Sequence, residues 1–155
     1  MSYTNEDGLY VLTNGAEGAV VNDGGALNSV KYLVIDIPDA TLVASGAVAP
    51  TPNEAYIPAG SYITMAKLVV TTAWTSGGSG TLGLQTAAGV AIDADGIDAA
   101  IAKTALAVNT AVNCNGALVN AAATVGAADA YIALNYGTAV FTAGAGKLVI
   151  QYITV

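Results

Sequence analysis

Histidine and arginine are missing altogether from this chain of 155 residues, and cysteine, tryptophan and phenylalanine occur once each. Without histidine there is no Ser-His-Asp triad and no Cys-His pair, and the commonest zinc ligand is gone. A single cysteine, Cys114, excludes an internal disulfide and a structural zinc site. It reads as a small thiol near a turn. Positive charge is scarce too: four lysines, at positions 31, 67, 103 and 147, stand against eleven acids, for a net charge of -7. Nucleic-acid binding needs clustered cations to neutralise phosphates, and these lysines are far apart in sequence, so direct contact with DNA or RNA is not expected. The same reasoning disfavours an anionic membrane surface. No apolar run is long enough for a membrane-spanning helix. The start, "MSYTNEDGLY", is acidic and polar without a hydrophobic region, so no secretory signal is expected.

What the chain does hold is small and β-prone. The apolar fraction is 54%, inflated by 32 alanines. The bulkier apolar residues are mainly Val, Ile, Leu and Tyr, and with 16 Thr and 18 Gly they favour strands and turns. Only 10% of residues are charged, so much of the surface must be Ala, Gly, Thr, Ser and Asn. Such a surface loses little side-chain entropy and little ionic solvation when covered.

Residues 1–30 are rich in Gly, Asn and acids ("NEDG", "TNGAEG", "NDGG"). They read as an extended or irregular N-terminal arm ahead of one β-sandwich domain, residues 31–155. "KYLVIDIP" is the first clear strand, with Leu33, Ile35 and Ile37 on one face and Pro38 as its end. A short strand is expected near Thr41–Val48, then a long loop to Gly60. Ser61–Trp74 is the longest β-prone stretch. Tyr62, Leu68, Val70 and Trp74 share one face and Ile63, Met65 and Val69 the other, the pattern of a strand that sits inside a sandwich or meets a neighbouring subunit. "LAVNTAVNCNGALVNAAATV" reads as two strands around an Asn115-Gly116 hairpin turn. "DAYIALNYG" aligns Ile132, Leu134 and Tyr136. "GKLVIQYITV" points Leu148, Ile150 and Tyr152 inward. One short helix is expected within Asp93–Ala107, where Ile97, Ile101 and Ala105 or Leu106 share a helical face. About eight short strands with brief connections predict an all-β fold: an antiparallel, jelly-roll-like β-sandwich with one short helix.

Two motifs look like chemistry. Gly78, Gly80 and Gly83 spell a literal G-x-G-x-x-G. A dinucleotide loop requires the last glycine to open a helix, whose N-terminus holds the pyrophosphate. Beyond Gly80, "TLGLQT" has a period of two, so the glycines and serines of "TSGGSG" read as hairpin chemistry. Asp93, Asp95 and Asp98 form the densest acidic cluster. A glycosidase needs carboxyls facing each other across a sugar, with an aromatic platform, and Trp74 is the lone indole. A calcium loop of EF-hand type fails because its twelfth position, counted from Asp93, is Thr104. The acids read as helix-capping and loop-solvating residues. No catalytic, cofactor-binding or metal-binding set is assigned. Tyr56, Tyr62, Tyr131 and Tyr152 are each followed by Ile, so ring and branched chain face opposite ways on a strand; outward tyrosines suit subunit contacts or sheet edges.

Three stretches together carry a resemblance: "YIPAGSYITMAKLVVTTAWTSGGSGTLGLQT", the acidic "DADGIDAA" and the closing "FTAGAGKLVIQYITV". Over residues 56–155 the chain resembles small head proteins of tailed bacteriophages, namely capsid decoration or cement proteins and related minor virion components. The resemblance implies a jelly-roll-like sandwich on the outside of an icosahedral head. It implies synthesis in the host cytoplasm, the major capsid protein as partner and a homotrimeric state. The residue chemistry above leads to the expectation of no enzyme activity and no cofactor. The motifs define strands and not a site, so no functional residue transfers. A tail or fibre component, or a carbohydrate-binding β-sandwich module, is the alternative expectation.

Overall fold

The computed structural model describes residues 30–37, 55–75, 78–136, 141 and 143–155, with the backbone alone at Tyr136 and in two short strands near the start. Those two, β1 (Ser2–Thr4) and β2 (Tyr10–Leu12), pair antiparallel with each other. The rest of the arm and the strand expected near Thr41–Val48 lie outside the described residues.

Eight further strands follow: β3 (Val30–Ile37), β4 (Tyr56–Ile57), β5 (Tyr62–Thr75), β6 (Gly80–Gln85), β7 (Ala91–Ile101), β8 (Ala111–Asn113), β9 (Ala130–Tyr136) and β10 (Ala143–Ile153). They form two four-stranded sheets, ordered β3-β10-β5-β8 and β4-β9-β6-β7, and every strand pairing in them is antiparallel. The order defines the topology. Strand β3 pairs with β10, β4 with β9, β5 with β8 and β6 with β7, as in one long hairpin whose successive rungs fall alternately in the two sheets. Rolling the hairpin brings β10 beside β5 and β9 beside β6. This is a jelly roll, the expected fold class. Among consecutive strands of the roll, β6 and β7 alone share a sheet. Their turn is closed by Gly89 N–H donating to Thr86 O at 2.9 Å and Thr86 N–H donating to Val90 O at 2.8 Å, with Gly89 at φ 76°.

The core lies between the sheets. Ile63, Leu68, Val70, Leu148 and Ile150 face inward from the first; Ile57, Leu82, Leu84, Ile97 and Ile101 face inward from the second. Each such aliphatic side chain contributes about 1.5–3 kcal/mol through removal from water. Leu33, Ile35, Ile132 and Leu134 pack against this cluster, as their alternation predicts.

Four local expectations are corrected. Strand β5 does not keep the two faces that simple alternation gives it. Opposite β10, Ile63 faces Tyr152 and Met65 faces Gln151, so one residue, Thr64, is extra. This β-bulge shifts the alternation by one, and Ile63, Ala66, Leu68 and Val70 all end up buried on the core side. The helix expected from Asp93 is instead strand β7; the helical part is a single 3-10 turn, Lys103–Leu106. Across the β6–β7 ladder, Leu82 and Leu84 oppose Asp98 and Asp93, so the one residue between them on β6 faces four on β7. The excess arches out, and the four-residue spacing of Ile97 and Ile101 fits a strand face as well as a helical one, since i and i+4 share a face in both.

No hairpin joins β5 and β6 across "TSGGSG", because the two strands belong to different sheets. Nor does Asn115-Gly116 turn a hairpin. After β8 the chain is irregular, with Gly116 N–H donating to Ile97 O at 2.8 Å and Leu118 N–H to Gly96 O at 2.9 Å. Val119 makes an isolated parallel bridge to Ile63. The segment ties the β8 edge of one sheet to the β7 edge of the other, which is why Gly116 must be small: a Cβ there would lie 2.5 Å from both Asp95 O and the Gly96 carbonyl carbon.

Candidate interaction surface

The residues that looked chemical are explained by packing. Gly83, last of the G-x-G-x-x-G, sits under the β7 arch, and a Cβ there would lie 2.5 Å from Asp93 O. It opens no helix; β6 continues through it to Gln85. Gly80 meets nothing closer than 3.5 Å, so the motif is a coincidence of a crossover and a tight strand contact.

Asp93 accepts a hydrogen bond from Asp95 N–H at 3.2 Å, and Asp98 accepts one from Ala100 N–H at 3.1 Å. The Asp95 carboxyl is raised above the ordinary range, first by a side-chain hydrogen bond with Asp93 and then by slight desolvation and the Asp93 charge. Asp98 is buried and does not join the other two at the surface. Among the described residues no three carboxylate or thiol groups converge as metal ligands. Asp98 instead faces the core thiol: burial, then the Asp98 charge, pushes Cys114 from 9.0 up to about 12. A thiol so disposed is a poor nucleophile. Trp74 is buried, stacked over Gly144 and Gly146 and edge-on to Phe141 at 6.5 Å. It offers no platform to a sugar.

Tyrosines do reach the surface. Tyr56 is exposed opposite buried Ile57, and its ring lies 5.5 Å from that of its cross-strand partner Tyr131. Tyr62 points away from Ile63 in the same way. Tyr152 is the exception: it is buried while Ile153 turns outward, and burial raises its hydroxyl pKa.

A broad regular surface is the outer face of the first sheet, where strand register sets the side chains in rows. Val30, Ile153 and Tyr62 lie side by side; Tyr32, Gln151 and Met65 come next; then Val34, Val149 and Lys67; then Asp36, Lys147 and Val69. Tyr32 is 64% and Val34 56% exposed, high values for such residues in regular strands. Apart from Lys67, the polar members are paired among themselves. Lys147 forms an ion pair with its cross-strand partner Asp36. Gln151 Nε2 donates to Tyr32 Oη at 2.8 Å, and Thr64 Oγ1 donates to Gln151 Oε1 at 2.9 Å. Polar groups satisfied in this way can be covered without leaving an orphan donor or acceptor. Sequence alternation locates this face but not its lattice, since the pairs are more than a hundred or nearly ninety residues apart along the chain.

Fold and surface together define an all-β jelly roll with a broad covering face and no convergent reactive groups among the described residues. No helix described here is long and apolar enough to cross a membrane. No family model matches the chain, and no curated protein matches it. Among solved structures it is similar to a chain of the cyanophage Pam1 capsid asymmetric unit, with 17% identity over 92% of this chain and 98% of that one, at a TM-score of 0.48.

Proposed function

We propose that this protein is a virion structural component that binds the outside of a phage capsid, contacts the major capsid protein and stabilises the seams between capsomers. It acts as a homotrimer, by association, and turns over no substrate. The observation that carries this reading is an exposed sheet surface of mainly small and apolar side chains, valine and tyrosine on β3 and alanine on β7, with few charges. The motif resemblance of residues 56–155 to phage decoration proteins supports it.

The physics suits the task. A packaged genome loads a shell outward, and stress concentrates where capsomers meet. A protomer covering on the order of 800 Å² adds interface area at each seam. Repetition over a symmetric lattice turns modest affinity into strong retention. A net charge of -7 is tolerable on an exterior and would repel DNA on an interior.

The test is stoichiometry and stability. Purified particles are expected to hold about as many copies as of the major shell protein, and particles lacking this protein should lose integrity at lower temperature. A handful of copies per particle points to a tail or fibre instead, and failure to bind shells at all overturns the reading.

A further inference from the structure

The self-association in that reading needs a surface, and the charge distribution supplies one. At -7 overall, copies of the chain repel one another unless contact is made where the charge is reversed or answered. On the outer face of the first sheet Lys147 is occupied by Asp36, but Lys67, beside Val149 and Asn113, has no ion-pair partner among the described residues. Covering that face therefore requires one acid from the covering partner, in an otherwise apolar and small-residue surface.

The chain carries that complement on its other sheet. Strand β7 presents Asp93 and exposed Asp95 among exposed Ala91, Ala94, Ala99 and Ala100. No lysine answers either acid among the described residues, and Asp93 accepts the Asp95 backbone N–H at 3.2 Å. We infer that copies of this chain join head to tail, the Lys67-centred face of β3, β10 and β5 on one copy covering the Asp93–Asp95 surface of β7 on the next. The inference rests on the self-association proposed above. A face-to-face pairing of two identical Lys67 faces is disfavoured, because it gathers two unanswered ammonium groups while Asp36 is held by Lys147. A heterologous contact uses both halves on every copy and closes into a ring when the rotation permits.

Sedimentation velocity of the full chain tests this with Lys67→Glu, Asp95→Lys and the double charge swap. Each single variant is expected to raise the concentration for half-assembly by at least about tenfold, and the double swap to restore it to within about threefold of the original. Thermal melts of each variant check that the fold is intact, and the double swap guards against a merely misfolded single. The inference is overturned if the unaltered chain sediments as a monomer throughout, if Lys67→Glu assembles normally, or if the double swap assembles no better than the singles. Co-sedimentation of the unaltered chain with bare shells decides the decoration reading separately. Loss of shell binding by a Lys67→Glu chain that still self-assembles assigns this face to the shell and likewise overturns the inference.

Discussion

Among the described glycines, Gly144 beneath Trp74 has the tightest surroundings. A Cβ on Gly144 would lie inside the indole, and its φ of 148° is one that L side chains rarely adopt. Gly144→Ala is therefore expected to destabilise by more than the 1–3 kcal/mol typical of overpacking, read as a drop in the urea midpoint. Gly80→Ala, with room around it, should change little. Cys114 makes a pH prediction. Its thiol stays neutral in the fold up to about 12 against an ordinary 9.0, so above pH 9 the unfolded chain ionises first. The group's contribution is complete below pH 9 and is lost as pH rises toward 12. Cys114→Ala should flatten that decline relative to the parent, and native Cys114 should resist alkylation at pH 8 until the chain is unfolded.

Bulges decide how β5 and β7 present their side chains. In β5 the extra residue at Thr64 sets which side chains from Ala66 onward meet the core. Deleting Met65 removes the extra residue, so that Thr64 meets Gln151 while Ile63, Ala66, Leu68 and Val70 keep the core side. Deleting Val69, beyond the bulge, turns either Leu68 or Val70 out of the core, because side-chain direction alternates along a strand. Its cost should far exceed that of deleting Met65; comparing the two denaturation midpoints checks this. For scale, Leu68→Ala leaves a cavity in a fully buried site and should cost about 2–5 kcal/mol. In β7 the arch keeps Asp93 and Asp95 outward while sending Asp98 inward. With no converging ligand set among the described residues, the melting temperature should be the same in millimolar calcium and in chelator. A shift would mean that these acids bind metal after all.

For the molecule as a whole, the jelly roll holds its sequence ends apart from its centre of folding. The hairpin β6–β7 is local, whereas β3 must find β10 more than a hundred residues later. Closing long loops before contacts reward them makes such topologies slow to fold. Refolding is expected to be slower than unfolding-limited helical domains of similar size, measurable by stopped-flow tyrosine fluorescence. The finished roll then offers two unlike sheets, one valine-rich with lysine and one alanine-rich with aspartate, which is the asymmetry a directional assembly uses.

The amino-acid order alone was enough for the fold class, the inward faces of β3, β9 and β10, and the absence of histidine chemistry, because alternation and composition are local properties. It misread β7 as helical, Asn115-Gly116 as a turn and "TSGGSG" as a hairpin. Each error has the same cause: bulges and sheet crossings are settled by what lies across the ladder, and Gly83, Gly116 and Gly144 are small because of backbone or rings distant in sequence. The paired lattice of Tyr32, Gln151 and Thr64, and the unanswered Lys67 beside it, likewise exist only once β3, β5 and β10 lie side by side.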